Sequence, residues 1–467
     1  MYFRRCTDRM PKSRPAGTDV AENFQEVIPT LTSMEAITEA NRCLFCEDAP
    51  CTIACPTSID VPMFIRKIST GNLKGSAKTI MDANPLGASC ARVCPTEELC
   101  VGACVLNDLR APIMIGELQR YATDYVMNND IQLYEKGPTN GKRVCVVGAG
   151  PSGLSAAREL ALLGYDITVF DAQEKGGGLN TYGVAPFRLP QSVSLWEVAQ
   201  IENLGVEIKN GVTVGKDITA DQLLNDYDAV LIAVGMGRIQ SLGIPGEKLP
   251  GVIDALDLIE ETKDGDPTQV SIGRRVAVIG AGNTAIDGAT TAKRLGAEIV
   301  QIFYRRSEKE MTAYPFEYEF AKQDGVEFRW LTAPTKILGT DKVDAIECIR
   351  MQLGQPDARG RRQSEPIPGS EFTIEVDNVI MAIGQSRRSE LFEHFGIEYT
   401  KGIVKVDENM RTTREGVYAS GDCVFEGGGS NEATVVLAVE QGKQAAKAIH
   451  QQLSERSTSV PGVSMEG

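Results

Sequence analysis

The chain has 467 residues, 42% of them hydrophobic and 24% charged, which is typical of a globular protein with several domains rather than of a disordered or fibrous chain. Its net charge of −15 disfavours nucleic-acid binding, because nucleic-acid-binding proteins usually present a basic face. No apolar run reaches the roughly 18 residues that a membrane helix needs, and the amino-terminal stretch lacks the apolar core of a secretion signal. We therefore expect a cytoplasmic protein with no nucleic-acid or membrane partner, in which clustered cysteines are ligands rather than disulfides.

Cysteine is concentrated in the first part of the chain. Eight of the twelve cysteines lie between residues 43 and 104. The segments around them, such as 33–46, 62–70 and 72–85, space their apolar residues as helices do, and Ser33 is a plausible N-cap. The sequence predicts a separate α-helical domain over residues 1–138, which ends at a turn-rich linker.

These eight cysteines form two runs. The first run is C-x2-C-x4-C-x3-C-P and consists of Cys43, Cys46, Cys51 and Cys55. The second run consists of Cys90, Cys94, Cys100 and Cys104, with a proline after Cys94. Zinc ribbons use two separated C-x2-C pairs, whereas runs that end in Cys-Pro are typical of iron–sulfur proteins, in which the last cysteine of a run often binds the other cluster. The spacing predicts two [4Fe–4S] clusters, and zinc is the alternative.

A glycine turn follows the linker, between an apolar strand and a helical pattern. It has the form G-x-G-x-x-G and consists of Gly148, Ala149, Gly150, Pro151, Ser152 and Gly153. Glycines at these places permit a tight turn, the approach of a pyrophosphate and close helix–strand packing. Asp171 closes the next strand at the offset where an acidic residue holds a ribose hydroxyl. We predict a dinucleotide-binding unit; the alternative is a glycine turn without a ligand.

The same strand–turn–helix–strand pattern returns at residues 275–306. Its turn contains Gly280, Ala281, Gly282, Asn283 and Thr284, with alanine in the third glycine position, a recognised variant. Where an acidic residue would close the second strand, this unit has Arg305 and Arg306. Paired guanidinium groups suit a 2′-phosphate and favour NADPH, whereas the alternative is a solvated pair on the surface.

Two later apolar strands, at 378–385 and 417–424, suggest that the chain returns to the first unit after completing the second. The predicted fold class is therefore α/β, with a helical iron–sulfur domain followed by two Rossmann-like domains, the second inserted in the first. The expected domain boundaries are 139–265 and 375–467 for the first unit and 266–374 for the second.

Two nucleotide units, the segment GGGLNTYGVAPFRLP (176–190) and the closing YASGDCV (418–424) resemble the flavoproteins with two dinucleotide-binding domains. The resemblance implies FAD in the first unit and a nicotinamide cofactor in the second. It also implies flavin contacts at Gly178, Leu179, Gly421, Asp422 and Thr434. Residues 140–467 contain no C-x2-C or C-x4-C pair of the kind that disulfide reductases use, so the electrons should leave the flavin by another route.

With the cysteine domain included, nearly the whole chain resembles the small subunit of glutamate synthase. It more closely resembles the N-terminal half of dihydropyrimidine dehydrogenase and the separate bacterial subunit that corresponds to it. The shared stretches are RCLFCEDAPCTIACP (42–56), CARVCPTEELCVGAC (90–104), IGELQRYATDY (115–125), FRLPQSV (187–193) and YRRSEKEM (304–311).

This resemblance implies a ligand set that spacing alone does not give. It places Cys43, Cys46, Cys51 and Cys104 on one cluster, and Cys55, Cys94, Cys100 and Gln119 on the other. Spacing alone would select Cys90 in place of Gln119, which could instead be an ordinary amide on a helix surface. The resemblance further implies that Arg188 contacts FAD and that three residues line the nicotinamide path, namely Ala382, Ile383 and Gly384. Related enzymes have a further arginine where this chain has Met311 and Thr312, so NADH remains an alternative to NADPH.

The expected function is that of an electron-input subunit. NAD(P)H would reduce FAD, and the electrons would pass through the two clusters to a separate FMN-containing subunit, in a hetero-oligomer that reduces uracil and thymine. Such a subunit needs no acid–base catalyst, and His394 and His450 are expected to be surface residues. The alternatives are a glutamate synthase small subunit or related transhydrogenase subunit, and a nucleotide-binding redox sensor without turnover.

Overall fold

The computed structural model describes residue 17 and residues 19–356, 362–426 and 433–458. Up to residue 128 the described chain is helical. Its helices are α1 (Val20–Asn23), α2 (Ser33–Ala40), α3 (Pro50–Ile53), α4 (Val61–Ser69), α5 (Leu73–Ala83), α6 (Gly87–Val93) and α7 (Ile115–Asn128), with a 3-10 turn at Val105–Asp108. Within the described residues, no helix combines the length and the apolar content that crossing a bilayer requires.

Local caps and apolar spacing explain why these segments are helical. α2 begins at Ser33, but its N-cap is Thr32, one residue earlier than predicted, in a capping box with Glu35. α4 is capped by Asp60, whose carboxylate accepts from the Met63 N–H at 3.0 Å. The core between the helices is built from fully buried side chains, including Phe64, Ile65, Ile68, Ile80 and Leu118.

The first nucleotide unit follows. Its elements before the insertion are β1 (Arg143–Val147), α8 (Pro151–Leu162), β2 (Asp166–Phe170), α9 (Leu179–Tyr182), α10 (Gln191–Glu202), β3 (Glu207–Lys209), α11 (Ala220–Asp226) and β4 (Ala229–Ile232). The second unit contains β5 (Val252–Asp254), α12 (Ala255–Asp264), β6 (Arg275–Ile279), α13 (Asn283–Arg294), β7 (Ile299–Tyr304), α14 (Pro315–Gln323) and β8 (Glu327–Trp330).

The rest of the described chain is mostly strand until the last helix. Its elements are β9 (Thr332–Leu338), β10 (Ala345–Pro356), β11 (Arg362–Pro366), β12 (Phe372–Glu375), β13 (Asn378–Met381), α15 (Ser389–His394), β14 (Tyr399–Thr400), β15 (Ile403–Val404), β16 (Val417–Ala419) and α16 (Val435–Thr458). Strands β9 to β12 form an antiparallel sheet. Helix α16 packs along α8, and the side chain of Val439 is fully buried there.

Each unit has a five-stranded parallel sheet, and the two orders are β16-β4-β1-β2-β3 and β5-β13-β6-β7-β8. Because β16 pairs with β4, the second unit is inserted in the first, and the predicted α/β class with Rossmann-like domains is confirmed.

Two strands, β5 and β13, were assigned to the wrong unit. β13 was expected to return to the first unit, but it lies between β5 and β6 in the second sheet. β5 and α12, which were also assigned to the first unit, belong to the second. The second unit therefore extends from β5 to β13, beyond the expected 266–374 at both ends. A short apolar strand does not encode which of two parallel sheets it joins, since either sheet buries it on both faces.

Candidate cofactor sites

Four cysteines line one cavity in the helical domain, namely Cys43, Cys46, Cys51 and Cys104. The rest of the wall is apolar and comes from Leu44, Pro50, Val61, Pro62, Ile65, Val105, Leu106, Ile113 and Ile115. Burial, reinforced by the nearby Cys104 sulfur, raises the pKa of Cys51 to about 11. Thiols in such surroundings become thiolates only beside a strong positive charge, and the irons of a cluster supply one. The donor set fits a [4Fe–4S] cluster, and it includes Cys104 from the second run but not Cys55.

A second group of cysteines lies where α6 ends. Cys94 is the C-cap of α6, and its pKa is raised by a side-chain hydrogen bond with Cys90, by burial, and by Cys100 and Cys55. The pKa of Cys100 is raised by burial and then by Cys55. Among the described residues, no three His, Cys, Asp or Glu side chains lie close enough to hold a single metal ion. A cubane does not need such a group, because each of its four irons takes one ligand.

Gln119 and Cys90 are the two candidates for the fourth ligand of this second group. Gln119 is only 7% exposed, so it is not the surface amide considered as the alternative. Its Nε2 donates to the carbonyl oxygen of Gly87 at 2.8 Å, which fixes the orientation of the amide. Cys90 is 2% exposed on α6. Cys90 therefore contacts Cys94 of the second group, whereas Gln119 is buried against the first residue of α6, and the choice of Gln119 stays a prediction.

The first glycine turn has the geometry that a pyrophosphate requires. Gly148 has a φ of 108°, in the region that favours glycine. A Cβ on Gly153 would lie 2.0 Å from the Gly148 carbonyl oxygen, so helix α8 packs directly on the turn. At Gly150, by contrast, the nearest atom to an added Cβ is the Cα of Gly178, at 4.0 Å. This open space at the N-terminus of α8 fits the diphosphate of FAD.

Asp171 holds the same turn from the end of β2. Its carboxylate accepts from the N–H of Ala149 at 2.6 Å and from the N–H of Gln173 at 2.8 Å. Burial raises its pKa, and these two hydrogen bonds oppose the shift. Asp171 therefore fixes the glycine turn, in addition to the ribose contact that the sequence predicts.

A single cleft of about 1440 Å³ connects the three parts of the molecule. Residues on its wall that the sequence predicted for FAD are Gly148, Gly150, Pro151, Ser152, Asp171, Gly178, Leu179, Arg188, Gly421, Asp422 and Thr434. Ala149 and Gly153 do not line the cleft; Ala149 is fully buried, and Gly153 packs α8 on the turn. From the helical domain, Val93 and Pro95 reach the wall on either side of Cys94.

The second glycine turn lies on the same cleft. Gly282, Asn283 and Thr284 line it, whereas Gly280 and Ala281 do not. Gly280 has a φ of 126°, and a Cβ there would lie 2.2 Å from the carbonyl oxygen of Ala382. Ala382, Ile383 and Gly384, predicted to line the nicotinamide path, therefore adjoin the turn but do not line the cleft, which includes the following Gln385 and Ser386 instead.

Arg305 and Arg306 lie outside the cleft wall. Arg305 is exposed, and Nε of Arg306 donates to the carbonyl oxygen of Arg362 at 3.1 Å. Thr312, at the position where related enzymes have arginine, instead donates its backbone N–H to the Ala281 carbonyl oxygen at 3.3 Å. The structure thus places the arginine pair at the end of β7, beyond the second turn.

Arg188 connects the two units. Its Nη1 donates to Asp287 on α13 at 2.6 Å, and its Nη2 donates to Glu317 on α14. Both acids belong to the second unit and are 4% exposed. Arg188 lines the cleft, but its guanidinium is engaged by these carboxylates, and its contact with FAD stays a prediction.

Lys263 also joins the two units, but here the donor belongs to the second unit and the acceptors to the first. It belongs to α12 of the second unit, and its Nζ donates to the carbonyl oxygens of Asn180 at 2.7 Å and Val184 at 2.8 Å in the first unit. Burial lowers the pKa of Lys263 to about 7, although Asp287 opposes this shift. The flavin-side segment is therefore held by side chains of the nicotinamide unit.

Several residues of the cleft wall were not predicted from the sequence. Residues 212–216, which follow β3, line the cleft together with Arg387, Arg388 and His394. Arg387 donates to the carbonyl oxygens of Asp422 at 2.7 Å and Phe425 at 3.0 Å, and so fixes the loop after β16. These segments contain no recognised motif, and only their position after a parallel strand could have indicated a ligand.

The two histidines differ in exposure. His394 is exposed at the mouth of the cleft, in line with the prediction of a surface residue. His450 is half-buried, and its Nδ1 lies 3.0 Å from the hydroxyl of Tyr165. That contact joins α16 to the start of β2.

Two nucleotide turns on one cleft, together with a helical domain that carries two cysteine sets and reaches the cleft at Val93 and Pro95, define a nicotinamide-dependent flavoprotein oxidoreductase with an iron–sulfur domain. The chain belongs to the pyridine nucleotide-disulphide oxidoreductase family, which matches residues 142–451. Residues 20–131 match dihydropyrimidine dehydrogenase domain II, described as a 4Fe-4S cluster domain. FAD, a nicotinamide nucleotide and [4Fe–4S] clusters are thereby confirmed as the cofactors.

Two groups of relatives are equally similar. The NAD-dependent dihydropyrimidine dehydrogenase subunit PreT of Salmonella typhimurium is 37% identical, covering 92% of this chain and 98% of that protein. The glutamate synthase (NADPH) small chain of Halomonas elongata is also 37% identical, covering 94% and 95%. Among solved structures, FprA from Mycobacterium tuberculosis in complex with NADPH shares the fold, with a TM-score of 0.56, 21% identity and coverage of 71% of this chain and 88% of FprA. Both groups of relatives are subunits of larger enzymes, so this chain is an electron-transfer oxidoreductase subunit.

Proposed function

We propose that the chain is the electron-input subunit of a dihydropyrimidine dehydrogenase. It oxidises NAD(P)H at FAD and delivers the electrons through two [4Fe–4S] clusters to a separate FMN-containing subunit, which reduces uracil and thymine. The protein works in the cytoplasm as part of a hetero-oligomer. Its own residues bind and orient the cofactors, and none is required as an acid or a base.

The observation that supports this route most directly is the position of Cys94. Val93 and Pro95, its two neighbours in sequence, line the cleft that also holds the first glycine turn. The second cysteine group therefore adjoins the flavin site, whereas the first group surrounds a separate cavity. Electrons would enter at the second cluster and leave from the first.

Within the flavin unit, the glycine turn and Gly178 leave room for the diphosphate, and Gly421, Asp422 and Thr434 line the same cleft, with Gly421 next to Ser152 of the turn. FAD, when bound, accepts a hydride from the nicotinamide and releases electrons singly. The second cluster is held by Cys55, Cys94, Cys100 and Gln119, and the first by Cys43, Cys46, Cys51 and Cys104. The orientation of Gln119 through Gly87 supports an oxygen ligand there.

Within the nicotinamide unit, the turn from Gly280 to Thr284 receives the nucleotide. When the nucleotide is NADPH, its 2′-phosphate extends past the cleft wall to Arg305 and Arg306 at the end of β7, in a charge-assisted contact. Asp287 lies on the same helix as this turn and is paired with Arg188 of the flavin unit. The helix that binds one cofactor is therefore fixed to the segment that lines the site of the other.

The choice of partner rests on the Leu118–Gln119 pair and the FRLPQSV stretch, which favour the pyrimidine system. A glutamate synthase small chain is the second candidate, because a relative of that name is equally identical to this chain. The deciding experiment compares two mixtures without oxygen, each containing the purified chain and NADH or NADPH. The first also contains the FMN-containing subunit and uracil. The second contains the glutamate synthase large chain, 2-oxoglutarate and glutamine.

Formation of dihydrouracil only in the first mixture supports the proposal, and formation of glutamate only in the second contradicts it. Rapid bleaching of the flavin by NAD(P)H in the chain alone is expected in either case. A redox sensor without turnover would bleach once and would not sustain the reduction of a dye.

A further inference from the structure

Five exposed apolar residues lie on the wall of the first cysteine set's cavity or within three positions in sequence of it. We call the apolar patch the group Leu44, Ile53, Met63, Val105 and Leu109. Ile53 is 77% exposed and Leu109 is 74% exposed, whereas the other three are between 38% and 53% exposed. Thirteen large apolar side chains are exposed in the described part of the chain, and five of them belong to this patch. Such a concentration is typical of an interaction site and not of ordinary surface.

Each of the five residues either belongs to the cavity wall or lies close in sequence to a residue of that wall. Leu44 and Val105 belong to its wall, together with the four cysteines. Ile53 ends α3, whose Pro50 and Cys51 are also on the wall, and Met63 follows the wall residue Pro62. Leu109 follows the 3-10 turn that contains Leu106, another wall residue. Two patch residues are therefore on the wall of the first cluster site, and the other three lie within three positions in sequence of that wall.

Charges on the same segments are predominantly acidic. The exposed charged residues there are Glu47, Asp48, Asp60, Asp108, Arg66 and Arg110, four acids against two bases. Arg66 is also drawn over the ring of Phe45, with its guanidinium carbon 4.8 Å from the ring centre. An acidic rim around an apolar centre is complementary to a protein face with an apolar centre and a rim of lysine and arginine.

The patch is separate from the place where electrons enter. None of its five residues lines the cleft that holds the two glycine turns, whereas Val93 and Pro95 beside the second set do. The patch therefore lies on a surface apart from the cleft that the two glycine turns share.

We propose that the apolar patch is the docking surface for the subunit that accepts the electrons, a protein whose redox group lies beneath an apolar face rimmed by basic residues. The inference rests on the proposed function. In each step one electron leaves the reduced first cluster, which is oxidised, and enters the acceptor's redox group, which is reduced; no bond forms or breaks.

The test places a lysine in the patch. Ile53→Lys and Leu109→Lys, made separately, introduce a positive charge that must be buried against a basic rim. Neither residue lines the cavity, so iron content, flavin bleaching by NAD(P)H and reduction of ferricyanide should match the unaltered chain. The KM for the FMN-containing subunit, measured by NAD(P)H-dependent reduction of uracil, should rise by about tenfold or more. Leu242→Lys, at an exposed apolar residue of similar kind far along the chain, is the matched control and should change nothing.

Unchanged KM values in both patch variants would overturn the proposal, and so would an equal effect of Leu242→Lys. Two other occupants are also tested. If the unaltered chain forms dimers that Ile53→Lys dissociates, a second copy covers the patch. If removal of residues 1–16 alone makes the patch bind a fluorescent apolar dye, the chain's own amino-terminal segment covers it. Either result contradicts the proposal.

Failure of the proposed function is a different outcome. If the unaltered chain reduces neither the FMN-containing subunit nor the glutamate synthase large chain, the partner was misidentified, but the docking surface can still be tested with cytochrome c, a basic protein with an exposed haem edge. Slower cytochrome c reduction by both patch variants, with ferricyanide reduction unchanged, supports the docking surface; equal rates overturn it.

Discussion

Nη1 of Arg188 in the flavin unit lies 2.6 Å from the carboxylate of Asp287 in the nicotinamide unit. The same carboxylate accepts from the N–H of Ala185 at 3.1 Å, so one side chain of α13 holds both a guanidinium and the backbone of the flavin-side segment. Because α13 begins at Asn283, inside the second glycine turn, this contact sets the distance between the two nucleotide sites.

Asp287→Asn should therefore affect both stability and the first redox step. Removing one partner of a buried ion pair leaves the other charge uncompensated, which lowers the free energy of unfolding by about 3 kcal/mol. The rate of flavin bleaching by NAD(P)H should fall about tenfold, because the two sites lose their fixed orientation. Urea unfolding and stopped-flow absorbance measure the two effects. Asp257→Asn, in an exposed pair with Arg238, is the control and should cost no more than about 0.5 kcal/mol.

Lys263 makes stability depend on pH. Burial lowers its pKa to about 7 in the folded protein, against about 10.4 in an unfolded chain. Between these values the unfolded chain binds more protons than the folded one, so the free energy of unfolding rises with pH. Lys263→Met should lower stability, because two carbonyl hydrogen bonds are lost, and should also flatten the increase. Urea midpoints of both proteins at about pH 7 and about pH 9 measure this change in stability. An equal change in the two proteins would contradict the assignment of the pH dependence to Lys263.

Two glycines of the same turn should respond in opposite ways. Gly153→Ala places a Cβ 2.0 Å from a backbone oxygen and should destabilise the protein even without flavin. Gly150→Ala meets nothing nearer than 4.0 Å, so the apoprotein should stay folded while the added methyl group obstructs the diphosphate and FAD content falls. Flavin absorbance and apoprotein unfolding separate the two. A stable, flavin-loaded Gly150→Ala variant would show that the diphosphate binds elsewhere.

Iron content tests how the cysteines are divided. Cys51→Ala should remove about half of the iron and acid-labile sulfide while flavin bleaching persists, because its cavity is separate from the flavin cleft. Cys90→Ala should retain all of the iron, whereas Gln119→Ala should lose part of it. Full iron in Gln119→Ala together with loss in Cys90→Ala would reverse the assignment.

The preference for NADPH over NADH tests whether the arginine pair binds the 2′-phosphate. Arg306→Ala should lower kcat/KM for NADPH about tenfold and leave that for NADH nearly unchanged, because only NADPH has the 2′-phosphate. Steady-state ferricyanide reduction with each nucleotide measures the ratio. Arg274→Ala, at an exposed pair with Glu298, is the control. Equal losses with both nucleotides would mean that Arg306 supports the fold instead.

The local features of this protein could be predicted from its sequence. The two glycine turns, the strands and helices on either side of them and the helical cysteine domain depend on residues close together in the chain. Gly148 and Gly280 each adopt a positive φ at the end of a strand, which favours glycine there for a local reason in addition to their close packing. Cysteine spacing likewise indicated clusters instead of zinc.

Tertiary structure alone decided which distant residues meet. The pairing of β13 with β6 and the contact between Arg188 and Asp287 each join segments separated by many residues. Such contacts depend on how whole elements pack, because a short apolar strand or a single arginine is compatible with several partners of equal chemistry. The sequence determined which chemistry the chain possesses, and packing determined where its parts come together.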